Sequence, residues 1–287
     1  MSSSTALLGF NDPFSSWTHL LAAVFFGIAT FFLLKKGKGN AVRIAALSLY
    51  SFALVFLFSM SGVYHLLAQT GDARAVLQRL DHAAIWVLIA GTFTPIHVIL
   101  FRGPWRWLIL STVWGIGLLG LIFEAIFFTS FPQWLITSLF LGLGWMGALT
   151  GYKFRKAYAG EKLRGLVLGG IFYSIGAVCD FLQWPVIWPS YIGGHDVFHI
   201  FVILGAISHW RFIYKWAAHS ASNKMIFHVS TFPDGAVVGQ AVGDHIRVEA
   251  SDLHELKARI KTLVKTKFHS SIEPEIHLKY FNEERIQ

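Results

Sequence analysis

The sequence predicts an all-α membrane protein, a seven-transmembrane-helix bundle with a small soluble C-terminal α+β extension. Of its 287 residues, 54% are hydrophobic and only 14% are charged, whereas soluble domains carry about 25% charged residues. The apolar residues stand in continuous blocks of about 20, the length at which a helix crosses a bilayer. Disorder is excluded by the 26 Phe and 11 Trp, and a disulfide scaffold by the single Cys179.

Seven blocks meet the length requirement for a membrane span. They cover residues 16–34, 44–68, 82–100, 107–128, 134–152, 165–184 and 197–216. The first 16 residues contain no Lys or Arg, so we expect the first block to be a retained span and not a cleaved signal peptide. Tryptophans such as Trp17, Trp107 and Trp216 stand at block ends, where aromatic rings anchor at the headgroup level. The glycine pairs Gly147/Gly151 and Gly165/Gly169 are expected to serve helix packing.

A polar segment follows the last span, so we divide the chain into a transmembrane domain, 1–216, and a soluble domain, 217–287. The polar segment predicts strands at 225–230, 236–242 and 276–281, with a turn at 233–235. A capping box, Asp252 and Glu255, precedes a helix over 253–267. The charges of the nine basic and nine acidic residues in 217–287 cancel, which argues against nucleic acid as a partner.

The loop charges predict the orientation. The connections after spans one, three and five carry eleven Lys and Arg, whereas those after spans two, four and six carry only Arg74 and Arg79. Basic loops stay on the cytoplasmic side. We therefore expect the N-terminus outside, residues 217–287 in the cytoplasm, and the protein in the plasma or inner membrane.

Four ionisable residues are expected at one depth of the bundle. His65 lies near the end of span two, Asp81 at the start of span three, and His195 and His199 at the start of span seven. In a serpentine of seven spans, the ends of even helices and the starts of odd helices share one membrane face. Ionisable groups within a membrane are costly and usually functional.

This arrangement predicts a zinc site. His195 and His199 are four residues apart and project from one helix face, and His65 from a neighbouring helix would be the third ligand. Three protein ligands leave the fourth tetrahedral position to water, whose pKa zinc lowers to roughly 7. Asp81 would be the general base, and Ser61, one turn before His65, would orient a ligand, the water or a substrate carbonyl.

Other polar residues offer competing interpretations. A single interfacial histidine is more often structural than a ligand, and HxxxH alone is a weak motif. Asp180 and Glu124 lie near the ends of even spans and are candidates to support a ligand histidine or to reach the headgroups. His19 and His82 are expected in the interface, His97 at the opposite end of span three, and His209 too far along its helix to join the site.

Three motifs resemble the hemolysin III family, the bacterial branch of the group that contains the adiponectin receptors. They are Ser61-x-x-x-His65, the stretch 80–95 around Asp81, and His195-x-x-x-His199. The resemblance covers about residues 14–216 and implies a seven-helix bundle with zinc on His65, His195 and His199. It also implies a zinc-bound water near Asp81, Ser61 in the same site, and a role in membrane lipid composition. Kinship with alkaline ceramidases suggests hydrolysis of lipid amides or esters.

Two features depart from the family. Residues 217–287 have no counterpart in its usual short members, and the adiponectin receptors have the opposite orientation to that predicted by this chain's charges.

Three functions stand as hypotheses. The first is a zinc hydrolase with membrane lipids as substrate. The second is a sensor of the bilayer with structural zinc and a cytoplasmic protein partner for the C-terminal segment, and the third is a pore-forming cytolysin. The cytolysin is disfavoured because no span carries a repeated charged ring.

Overall fold

Seven helical spans, each long and apolar enough to cross a membrane, form the first part of the described chain in this computed structural model. The structure describes residues 11–68, 70–101, 103–158, 161–189, 191–219, 224–233, 235–242, 246–267 and 275–280. The helices are α1 (Pro13–Gly37), α2 (Ala41–Leu66), α3 (Asp72–Leu100), α4 (Pro104–Ile126), α5 (Gln133–Trp145), α6 (Gly147–Ala157), α7 (Arg164–Leu182) and α8 (Gly194–Trp216). Helices α5 and α6 together make the fifth span. The predicted seven-helix fold is confirmed.

Two spans depart most clearly from the prediction. Helix α3 begins at Asp72, ten residues before the predicted start of the span, because hydropathy detects only the part in hydrocarbon and not the polar first turns. The fifth span is interrupted at Met146, which ends α5 and begins α6. Gly144 and Gly147 flank this residue, and glycines are a usual cause of a break in a helix.

Consecutive helices pack as neighbours, and α8 closes the arrangement by contacting both α7 and α1. Small residues permit the closest approaches: a Cβ added at Gly62 of α2 would come within 2.7 Å of Leu20 of α1. A Cβ at Gly165 would lie 3.0 Å from Phe212 of α8, and one at Gly169 would overlap His209, so this predicted pair does pack helices. Gly147 and Gly151 meet only ordinary contacts.

The described residues after α8 form a four-stranded sheet with one helix on its face. The elements are β1 (Lys224–Thr231), β2 (Val237–Ala241), β3 (Arg247–Ala250), α9 (Leu253–Lys267) and β4 (Glu275–Tyr280), in the sheet order β3-β2-β1-β4. Strand β4 is parallel to β1, and the other pairs are antiparallel. Strand β3 was not predicted, because four residues give too short a pattern. Asp234 of the predicted turn and Phe281 of the predicted last strand lie outside the described residues.

The side chains of α9 and the sheet enclose a core of their own. Leu256 and Ile260 of α9 are buried against Phe227 of β1. Asp252 accepts a hydrogen bond from the Glu255 amide at 2.7 Å, as the capping box predicts. The Glu255 carboxylate accepts in turn from the Ser251 amide at 2.9 Å. These bonds fix the start of the helix, and the two hydrogen bonds from Ser251 hold the pKa of Glu255 below its usual value.

Candidate metal centre

Three histidine side chains converge between α2 and α8. His195 Nε2 lies 3.3 Å from His65 Nε2 and 3.1 Å from His199 Nε2. One ligand atom from each residue lies within 4.8 Å of the other two. His65 and His199 are buried, whereas the side chain of His195 is 43% exposed. The sequence-predicted triad is therefore brought together as a group that could hold a metal ion.

Carboxylates on the far side of two rings set their tautomers. His195 Nδ1 lies 2.8 Å from Asp180 Oδ1, and His65 Nδ1 lies 3.2 Å from Asp12 Oδ2. A carboxylate only accepts hydrogen bonds, so each Nδ1 carries the proton. In the neutral imidazole, Nε2 then presents a lone pair. His65 and His195 thus face each other with two acceptors and no proton between them.

A metal ion fits this arrangement. Tetrahedral zinc with Zn–N bonds of about 2.0–2.1 Å places its nitrogen ligands about 3.3–3.4 Å apart, close to the observed Nε2 separations of 3.3 and 3.1 Å. Carboxylate partners on Nδ1 are the usual support of metal-binding histidines. Within the part of the chain that the structure describes, no fourth His, Cys, Asp or Glu joins the three in the group.

Asp81 and Ser61 lie beside the triad. The Ser61 side chain is close enough to interact with the Asp81 carboxylate, and Asp81 is close enough to interact electrostatically with His65 and His195. Ser61 is buried, and Asp81 is half-buried. One carboxylate is therefore held next to the three histidines without joining them.

The N-terminal end of α1 fixes this end of the bundle. The amide of Asp12 donates to the His65 carbonyl at 3.0 Å, and the Ser16 hydroxyl donates to the Gly62 carbonyl at 2.7 Å. The Ser15 hydroxyl donates to Asp196 Oδ1 at 2.7 Å, which links α1 to the first turn of α8. The helices that carry the histidines are thus joined through a third helix.

Asp12 is a site residue that sequence reasoning missed. Burial by itself raises the pKa of its carboxyl, but hydrogen bonds from His65 and Asn11 and the charge of Arg74 outweigh burial and lower it. Asp12 therefore stays an anionic acceptor for His65. The available signal was its place just before the first span, on the face where odd spans start.

His19 corrects the prediction of an interfacial residue. It is 2% exposed, and its ring stacks on that of His199 with 3.9 Å between centroids. Its Nε2 lies 3.4 Å from the His199 carbonyl oxygen. The cause is the packing of α1 against α8, which sequence periodicity does not reveal. His19 fixes the ring of a ligand candidate from the side.

The two acidic residues at the ends of even spans have different partners. Asp180 supports His195, as described above. Glu124 instead lies 2.7 Å from His82 Nδ1 and accepts a 2.7 Å hydrogen bond from Trp86. Its carboxylate is buried between α3 and α4. His82 is thus a half-buried partner of Glu124, where the sequence predicts an interfacial residue.

The remaining histidines of the bundle lie apart from the triad, as predicted. His97 Nε2 lies 2.9 Å from the Thr150 hydroxyl. His209 Nε2 lies 3.1 Å from the Leu166 carbonyl oxygen.

Comparison with known proteins identifies the family. Residues 9–210 match the family described as Haemolysin-III related. The chain is 30% identical to Hemolysin-3 of Bacillus cereus over 173 residues, covering 58% of this chain and 73% of that protein. It is 25% identical to Heptahelical transmembrane protein 1 of Arabidopsis thaliana over 233 residues, covering 70% and 68%. It is 26% identical to the Adiponectin receptor protein of Drosophila melanogaster over 227 residues, covering 71% and 50%.

The family match extends over the described spans and ends within α8, before β1. It contains all three histidines of the triad and both residues, Ser61 and Asp81, that lie beside it. Together with the seven apolar helices, it supports one conclusion. The chain belongs to the haemolysin III family and is a multi-pass membrane protein.

Proposed function

We propose that the protein is a membrane-embedded zinc hydrolase that cleaves amide or ester bonds of lipids and so affects membrane lipid composition. One observation carries the proposal: three histidine side chains at metal-ligand spacing, with the Asp81 carboxylate beside them and no fourth protein ligand among the described residues. Structural zinc sites are normally closed by a fourth protein ligand, whereas catalytic sites keep one position open.

The residues divide the work as follows. A bound zinc ion supplies Lewis acidity toward a carbonyl oxygen and toward water. Asp81 accepts the proton of the attacking water as general base, and the neighbouring Ser61 side chain orients the Asp81 carboxylate. Asp12 and Asp180 hold the rings of His65 and His195.

The substrate class follows from the surroundings of the site. The triad lies at one end of apolar helices whose outer faces are rich in exposed Phe, Leu and Ile. The half-exposed ring of His195 marks the side from which a substrate reaches the site. An acyl chain between the helices and a carbonyl at headgroup depth match such an opening, so membrane lipids are the proposed substrates.

The orientation and location are part of the proposal. Eleven cationic residues in the connections after spans one, three and five, against two after the even spans, favour residues 217–287 in the cytoplasm of a plasma or inner membrane. The metal centre then faces outward, at the ends of the even spans.

A second function competes with hydrolysis. Residues 217–287 lie outside the family match, and the described part of this segment forms a folded unit with its own core, as expected for a transducer with a cytoplasmic protein partner. In that case zinc would hold α2 to α8 without turnover.

The variant Asp81→Asn tests whether the protein is a hydrolase or a transducer. Asn is nearly isosteric, so it keeps the packing and loses only the ability to accept the proton. We expect it to keep its zinc and to lose lipid hydrolysis by ~10²-fold or more, the usual contribution of a general base. The assay measures fatty acid released from ceramides and phospholipids by zinc-loaded protein.

Asp72→Asn is the matched control, since Asp72 lies exposed at the start of the same helix. Equal product from wild type and Asp81→Asn rules out Asp81 as base. No product from either protein, with zinc bound to both, favours the transducer.

A further inference from the structure

The described part of the C-terminal unit contains a groove that the proposed hydrolysis does not use. Helix α9 packs mainly on β2 and β3, where a Cβ added at Gly239 would lie 3.0 Å from Ile260. In the sheet order β3-β2-β1-β4, this leaves β4 at the uncovered edge. The space between α9 and β4 has a volume of about 490 Å³.

The groove combines an apolar floor with a basic rim. Ile276 and Leu278 of β4 are two residues apart and share one face of the strand, and Ile260 and Val264 of α9 complete the floor. Lys257, Lys261 and Lys265 line the rim. They recur every four residues and therefore form a row along one side of α9. No acidic side chain is among the described residues that line the groove.

The position of the unit along the chain restricts what it can meet. Helix α8 ends at Trp216 and β1 begins at Lys224, so the connecting residues 217–223 reach at most about 25 Å when fully extended. The unit therefore stays close to the bilayer surface. By the serpentine order it lies on the side of the basic loops, where the anionic leaflet is expected.

We propose that this groove binds an anionic phospholipid of the adjacent bilayer. The phosphate lies against the lysine row of α9, and part of one acyl chain covers Ile276 and Leu278. Charge complementarity selects the anionic headgroup, and the apolar floor distinguishes a lipid from a soluble anion. Lipid binding by the C-terminal unit would thus depend on the fraction of anionic lipid in the membrane. This inference does not depend on zinc or on hydrolysis.

Lysine reactivity in the full chain tests the proposal. The protein is reconstituted in nanodiscs of phosphatidylcholine alone, or of phosphatidylcholine with a minor fraction of phosphatidylglycerol. An amine-reactive label is then quantified at each lysine by mass spectrometry. We expect labelling of Lys257 and Lys261 to slow about fivefold or more with phosphatidylglycerol, the selectivity that one lysine at an anionic surface supplies.

Lys279 is the internal control, because it is exposed on β4 and lies on the opposite face of the strand from Ile276 and Leu278. Its labelling should not change. Equal rates at Lys257 and Lys261 in both nanodiscs would overturn the proposal, and so would equal protection of Lys279, which indicates unspecific surface attraction.

Two further arms separate the lipid from other ligands. Glycerol phosphate added to phosphatidylcholine nanodiscs should not protect Lys257 or Lys261, and full protection by it would show an anion site that needs no acyl chain. Lys257→Gln should abolish the protection of Lys261, whereas Lys279→Gln should leave it intact. Protection of the groove in cells but in neither nanodisc would assign the groove to a protein partner and refute the lipid proposal.

Discussion

We expect the Asp180 carboxylate to determine how tightly the histidine triad binds zinc, and Asp180→Asn tests this. Asp180 Oδ1 lies 2.8 Å from His195 Nδ1, and only 12% of the Asp180 side chain is exposed. Gln133 donates to the other carboxylate oxygen at 3.1 Å and fixes its direction. Asn keeps an acceptor for His195 but removes the negative charge that strengthens the ring nitrogen as a ligand.

The expected magnitude follows from these contacts. A hydrogen bond to a charged group contributes about 1.5–3 kcal/mol, and loss of such a partner typically lowers metal affinity 10- to 100-fold. We expect about a tenfold loss of zinc affinity for Asp180→Asn and up to ~100-fold for Asp180→Ala. Asp12→Asn should have a smaller effect, because the Asp12 contact is longer, 3.2 Å, and its side chain is 26% exposed.

The assay is chelator competition for zinc with the full chain in detergent. Glu124→Gln is the matched control, since Glu124 bonds His82 and Trp86 and none of the three triad histidines. Its zinc affinity should equal that of wild type. An unchanged affinity for both Asp180 variants, or an equal loss in Glu124→Gln, would refute the assignment of Asp180 as the residue that orients a ligand.

Four further predictions follow from the structure. His195→Ala and His199→Ala should each lower the zinc content of the purified protein by an order of magnitude or more, from about one per chain; unchanged zinc in both would refute the site. Gly194→Ala should lower the melting temperature and the zinc content, because its Cβ would overlap the backbone of Cys179 and Gln183, whereas Gly27→Ala, with nothing within 4 Å, should do neither. Burial, followed by the charge of Arg43, lowers the pKa of His219 from 6.5 to about 4, although the charge of Glu161 acts in the opposite direction. The stability that depends on His219 is therefore full above pH 6.5 and falls as the pH drops toward 4. His219→Gln should reduce the fall in melting temperature over this pH range, and an unchanged slope would contradict the shift. A cysteine at Ser4 should react with an impermeant label from outside the cell, and a reporter after Gln287 should be active in the cytoplasm; the opposite pattern would show that the loop charges do not set the orientation.

The sequence alone determined the membrane fold and the depth of the site. A bilayer accepts a chain segment only when its backbone bonds are satisfied within the segment and its surface is apolar, so seven apolar blocks become seven spans. The order of spans then places the ends of even helices with the starts of odd ones, which was sufficient to group His65, Asp81, His195 and His199. The spacing of four residues put two of these histidines on one helix face.

Only the tertiary structure decided which side chains meet at that depth. Asp180 and Glu124 are equivalent in sequence, since each is an acidic residue near the end of an even span. Helix α7 packs on α8, so Asp180 reaches His195, whereas α4 packs on α3, so Glu124 reaches His82 and Trp86. Hydropathy measures the transfer of a segment into the membrane, and it does not determine which helices become neighbours or how each helix is rotated about its axis. Those depend on the fit of side chains between helices, which also buried His19 on His199 and brought Asp12 to His65.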